Sequence, residues 1–138
     1  MQASRYYFIL LVLTSSLTAC VTSQRTELFF GMNIPGGGQV SDEQWKNFTD
    51  SIVSPRFPEG YTEWDAAGKW LDTDTRHTIS ENTKVLTFIG KRNRQRNASI
   101  DSIVQYYIHQ FRQQAVLRLD SRAKAKFISS RNQFNSGN

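Results

Sequence analysis

Asp65, Glu81, Arg56 and Trp70 are the residues of this 138-residue chain whose types could together hold a ligand. With Lys69 they fall at the ends of apolar segments, where a pocket over a sheet would offer a ring for stacking and charges for polar groups. As general acid and base, Asp65 and Glu81 would need their strands to bring them within a few ångströms, which their spacing does not require. The plain alternative puts Trp70 in the core and leaves the charges solvated. No catalytic residue, metal ligand or cofactor can be assigned. His77 and His109 stand apart from any Cys or carboxylate cluster at ligand spacing, and no G-x-S-x-G elbow occurs.

The densest charge is GKRNRQRN, where Lys91, Arg92, Arg94 and Arg96 share one predicted loop ahead of a helix. Such a run is either a solvated connection or an anion contact, and the forked donors of arginine suit phosphate and carboxylate. The whole chain carries a net charge of +5. That balance alone does not point to nucleic acid. GMNIPGGG stands between a strand and a helix as a phosphate-cradling loop does, but Gln39 and Val40 follow the glycines where a P-loop has Lys and Ser/Thr. It reads as a flexible turn.

The only cysteine, Cys20, closes an apolar run. Arg5 supplies a positive start, the stretch from Tyr6 to Leu13 an apolar centre, and Ser15, Ser16, Thr18 and Ala19 the small residues of a cleavage site. The run is shorter than the ~20 residues a membrane-spanning helix needs, so it reads as an export signal. Leu17-Thr18-Ala19-Cys20 resembles the lipobox of bacterial lipoproteins. That resemblance implies removal of residues 1–19, lipidation of Cys20 and anchoring to a membrane. Three acyl chains exceed the two signals needed for stable attachment. By the same resemblance, Val21 in the place of a retaining aspartate favours the outer membrane, facing the periplasm. The basic residues would then meet anionic lipid or a cell-wall polymer, not nucleic acid.

Residues 20–25 read as the lipidated cysteine and a polar tether, 26–128 as one α+β domain and 129–138 as a frayed tail. TELFFGMNI alternates Leu28, Phe30, Met32 and Ile34 and predicts the first strand. Ser41 with Gln44 makes a capping box, with Val40 placed to staple against Trp45. Trp45, Phe48, Ile52 and Val53 follow as one stripe before Pro55. YTEWDAAGKWL and TKVLTFIG predict two strands joined by a long mobile loop, DTDTRHTISEN. In the second strand Val85, Thr87 and Ile89 oppose Leu86 and Phe88, which predicts a central strand covered on both faces.

Ile100, Ile103, Val104, Tyr107, Ile108 and Phe111 keep helical spacing and predict a second helix capped by Ser99. KAKFI predicts a last edge strand. The order β-α-β-β-α-β is the ferredoxin-like split pattern, a four-stranded antiparallel sheet with two helices on one face. The other face is left for a partner or a homodimer.

The strings LFFGMNIPGGGQVSDEQWKNF, SPRFPEGYTEWDAAGKWL and AVLRLD, in that order, resemble an uncharacterised bacterial family, domain of unknown function thirty-five seventy-four. The resemblance runs from Leu28 to about Phe127 and implies no activity. Three readings follow: a lipid-anchored envelope protein with a ligand- or partner-binding domain, an enzyme with a pocket around Asp65, Trp70 and Glu81, or a structural dimerisation module.

Overall fold

A computed structural model describes residues 23–126 and 128. The lipobox cysteine and the tail from 129 onwards lie outside the described residues. The elements are β1 (Ser23–Gly31), α1 (Asp42–Phe48), β2 (Thr62–Leu71), β3 (Thr78–Gly90), α2 (Arg94–Gln110) and β4 (Leu117–Ala123). The strands pair antiparallel in the order β2-β3-β1-β4. Each helix therefore connects two parallel strands with an antiparallel one between them, an α+β arrangement compatible with the split pattern.

Alternation decides the two faces of the sheet. Leu28 and Phe30 of β1 and Leu86 and Phe88 of β3 have no exposed surface, and they share one core with Trp45 and Phe48 of α1 and Ile100, Ile103 and Tyr107 of α2. The capping box at Ser41 forms in both directions. The α1 helix then widens into a π turn over Thr49–Val53 and tightens into a 3-10 turn at Ser54–Arg56, where Pro55 ends it.

Five boundaries differ from the sequence reading. β1 begins at Ser23, inside the expected tether, and leaves the sheet at Gly31, so Met32 and Ile34 belong to the loop that follows. In that loop Gly36, Gly37 and Gly38 all have positive φ, which accounts for three consecutive glycines. The expected mobile loop shrinks to residues 72–77, because β3 pairs with β2 without interruption from Thr87 down to Thr78. Asp72 closes this hairpin by accepting the amides of Asp74 and Thr75 on its carboxylate. The hairpin projects past the end of β1, so it lacks the apolar alternation that marks a buried strand.

The α2 helix starts at Arg94, not after Ser99. Asn93 is the cap, its Oδ1 accepting the Arg96 amide at 2.7 Å, and the first turn is too polar for periodicity to reveal it. Among the described residues the last strand is LRLDSRA, and Lys124–Lys126 of KAKFI lie outside it. It is fastened to β1 by Asp120, which accepts the Thr26 hydroxyl at 2.7 Å, the Gln24 amide at 2.6 Å and Arg118 Nε at 2.9 Å.

Partial burial opposes ionisation of Asp120, but the Thr26 hydroxyl and the Arg118 guanidinium outweigh it and hold the carboxyl below its ordinary 3.8. A depressed native value means stability that is complete above pH 3.8 and lost as the pH falls through the native value. Thermal melts should therefore show Asp120→Asn destabilised at pH 6, with the gap to wild type closing below pH 4. A gap that stays constant down to pH 2 would mean that the carboxylate's charge does not contribute.

Candidate functional site

The residues expected to form one pocket are distributed over separate places. Asp65 stands opposite Lys84 on the helix-bearing face of the β2–β3 pair. Trp70 belongs to the other face, near the tip of the hairpin, and is 48% exposed, so it is neither core nor part of a pocket with Asp65. Arg56 donates Nη1 to the carbonyl of Ile52 at 2.7 Å beyond the end of α1. Glu81 lies three residues from Lys84 and so alternates to the face opposite Asp65. An acid–base pair of Asp65 and Glu81 is thus not assembled.

Glu81 has a task of its own. Its Oε1 accepts the Asn33 amide at 2.8 Å just where β1 leaves the sheet. Gly31 makes room for it: a Cβ there would stand 2.7 Å from that same oxygen. Nothing in the residues around Glu81 points to this use, because it arises from a backbone amide contributed by a distant loop.

What Asp65 does join is a group that the sequence reading did not single out. Lys84 Nζ lies 2.6 Å from Asp65 Oδ1 and 3.6 Å from Glu63 Oε1. Glu63 also accepts the Trp45 indole N–H at 2.8 Å. The hydrogen bond from Lys84 to Asp65 raises the ammonium above its ordinary 10.5 against the contrary effect of burial, with Glu63 adding to the rise. In this arrangement Lys84 serves as donor and counter-ion to the two carboxylates. The pair forms the wall of a 480 Å³ cleft shared with Met32, Gln39, Val40 and Asp42, at the end of the sheet where β1 finishes. The signal for it was the i, i+2 spacing of Glu63 and Asp65, which puts both carboxylates on one face of a strand.

The basic run also divides. Lys91 and Arg92 connect β3 to α2, whereas Arg94 and Arg96 occupy the first turn of the helix. Arg96 is a correction to the expected exposed cluster: its side chain is 6% exposed and its guanidinium carbon lies 5.2 Å from the centroid of the Phe57 ring. The strand register adds partners that the linear run did not contain. Ser23 pairs with Ala123, and Gln24 with both Gly90 and Arg122. The start of β1, the β3–α2 connection and the end of β4 thus share one end of the sheet, where Arg25, Arg122, Lys124 and Lys126 join Lys91, Arg92 and Arg94.

The face without helices carries Trp64, Ile89, Leu117 and Leu119, all at least 42% exposed, with Phe29 edge-on to Trp64 at 6.3 Å. Beneath them Val85 is fully buried, so β3 is covered on both faces as expected along part of its length, while Ile89 at its end is not. Among the described residues no three His, Cys, Asp or Glu side chains are grouped to hold a metal, and no helix is long and apolar enough to cross a membrane.

The Gly31–Glu81 contact can be tested by a double-mutant cycle. Gly31→Ala should cost about 1.5–3 kcal/mol, because it evicts a charged acceptor from the Asn33 amide. In a Glu81→Ala background the same change should cost little, as urea melts of the four proteins will show. Additive costs would mean that Glu81 does not occupy the space that Gly31 leaves.

Known proteins place the chain by fold and family. A phage SAM lyase in complex with S-methyl-5'-thioadenosine superimposes with a TM-score of 0.55 at 13% identity, over 72% of this chain and 81% of that one. The same enzyme in its apo state gives the same score and identity over 73% and 81%. At this identity the likeness is one of fold. No curated protein matches the chain. Residues 25–127 match the family described as Protein of unknown function (DUF3574), and the chain belongs to that family.

Proposed function

We propose that the protein is a lipid-anchored protein of the bacterial envelope, a binding module held by Cys20 with the basic end of its sheet against anionic phospholipid. The observation that carries this reading is the shared location of the chain's entry and its positive charge. Cys20 precedes Ser23 by three positions, a reach of about 10 Å at most. Arg122 pairs with Gln24 and lines one cleft with Ser23 and Arg92, while Lys91, Arg94, Lys124 and Lys126 follow in the chain from the strand ends that the register brings to this end of the sheet. Each basic residue near an anionic surface contributes about 1 kcal/mol, enough together to orient a domain already tethered. So short a tether makes the contact intramolecular and raises its effective concentration.

The opposite end then faces the periplasm. β1 runs from the anchor to the Asp65–Lys84 cleft, so the cleft and the hairpin tip are the parts presented to a ligand or partner. Binding is favoured over catalysis because Lys84 and Asp65 are engaged with one another in an ion pair, and because Asp65 and Glu81 lie on opposite faces. A structural dimerisation module, using the apolar open face, is the second reading.

Cell fractionation and vesicle binding test the proposal together. Cys20→Ser should lose lipid label and leave the membrane fraction. The unlipidated protein should retain a weak, salt-sensitive affinity for anionic vesicles that falls when Lys91, Arg92 and Arg94 are changed to Ser. Unchanged fractionation of Cys20→Ser would overturn the anchoring, and vesicle binding indifferent to salt and to the three substitutions would overturn the orientation.

A further inference from the structure

Arg96 is the third residue of a seventeen-residue helix, a position usually open to water, yet its side chain is 6% exposed. Removing a guanidinium from water without replacing its hydrogen bonds is costly, and arginine is retained inside proteins where something pairs with it. Here the pairing is incomplete. Nε and Nη2, the two groups of the side-on fork, have no hydrogen-bond partner among the described residues. Nη1 lies 3.9 Å from Glu59 Oε1, beyond hydrogen-bond reach. The next carboxylate, Asp120, spends its oxygens on Gln24, Thr26 and Arg118. The Phe57 ring meets the guanidinium with its centroid 5.2 Å from the central carbon and supplies no lone pair to its N–H groups.

The surroundings are built for an anion. Arg96 lines a 230 Å³ cleft together with Arg56, Lys91, Glu59, Asn93 and Gln95, three cations against one carboxylate. Gly90 also lines it, and a Cβ at that position would stand 3.0 Å from Nη1, so glycine allows the guanidinium its close approach. The cleft opens at the start of α2. There Asn93 caps the amide of Arg96 and leaves those of Arg94 and Gln95, which have no acceptor within the helix, for a ligand. Burial lowers the pKa of Arg96 from the ordinary guanidinium value, Glu59 offsetting part of the change, which is the response of a cation short of partners.

We propose that this cleft binds one phosphate group, which displaces the loosely held Glu59 and is gripped by the guanidinium of Arg96, the ammonium of Lys91 and the first amides of α2. Phosphate suits the site because it accepts several hydrogen bonds at once and carries enough charge to answer an excess of cations. The site does not depend on lipidation of Cys20. It does lie at the end of the sheet nearest the chain's entry, so the phosphate could belong to a soluble ester or to a lipid headgroup.

The test is titration of the full-length protein with inorganic phosphate at constant ionic strength, followed by calorimetry and by the backbone amide signals of Arg94 and Gln95. Wild type should bind at one site with those two amides shifting. Arg96→Lys, which keeps the charge and loses the fork, should weaken binding about tenfold or more. Glu59→Gln should tighten it, because a competing carboxylate is gone. Lys91→Ser changes an exposed residue outside the helix, so it should weaken binding with the fold intact and keeps the test valid if Arg96→Lys unfolds. No saturable binding, or equal binding by wild type, Lys91→Ser and Glu59→Gln, would overturn the site and leave only diffuse attraction to a basic surface. A second arm identifies the source with vesicles of phosphatidylglycerol and phosphatidylcholine against phosphatidylcholine alone. Competition between saturating phosphate and the anionic vesicles would assign the site to a headgroup, and independence would assign it to a soluble phosphate, the site itself standing in either case.

Discussion

Phe30 has no exposed surface, and the rings of Tyr107, Trp45 and Phe48 close on it with centroids 4.7, 5.4 and 5.7 Å away. This contact of one strand residue with both helices is the constraint on which the remaining arrangement depends. It commits the even-numbered residues of β1 to the helix-bearing face, and strand alternation then commits Phe29 and Glu27 to the other. Tyr107 adds a directional tie. Its hydroxyl donates to the Gly31 carbonyl at 2.8 Å, and burial pushes its pKa far above the ordinary value for a tyrosine, so it remains a donor at any physiological pH. The helix that covers β1 therefore also marks where β1 must leave the sheet. There Glu81 takes up the next free amide.

With both helices on one face, the molecule is asymmetric in two directions. Across the sheet, one side is a closed aromatic core and the other an open surface of Trp64, Leu117 and Leu119 over a polar chain of Arg25, Glu27 and Thr87. Along the sheet, positive charge collects where β1 enters and a carboxylate-lined cleft forms where β1 ends. The two ends are separated by the length of one nine-residue strand, and the proposed orientation at a membrane rests on that separation.

Lys84 and Arg96 show two outcomes of placing a cation against the same core. Lys84 is met by Asp65 and Glu63, and its pKa rises; Arg96 is met by a phenyl ring and a distant Glu59, and its pKa falls. The first is a closed ion pair that positions two strands. The second is an open valence at a helix N-terminus, and it separates a residue that merely adds to a basic surface from one whose burial calls for a specific counter-ion.

The sequence by itself determined whatever is encoded within a few residues. The capping box at Ser41 and Gln44 and the stripe from Ile100 to Phe111 were legible, because caps and helical spacing are local geometry. So were the α+β order and the break in regular structure after Pro35. The start of α2 was not legible, since the polar first turn after Asn93 carries no periodicity, and neither were the paired arms of the β2–β3 hairpin beyond the core. Only the tertiary structure decided that Asp65 belongs with Lys84 and not with Glu81, that Trp70 stays exposed, and that Lys91 and Arg92 share an end with Arg122. Each of these follows from cross-strand register, and a register is chosen by which distant residues bury Leu28 and Phe30, not by the neighbours of the residues it brings together.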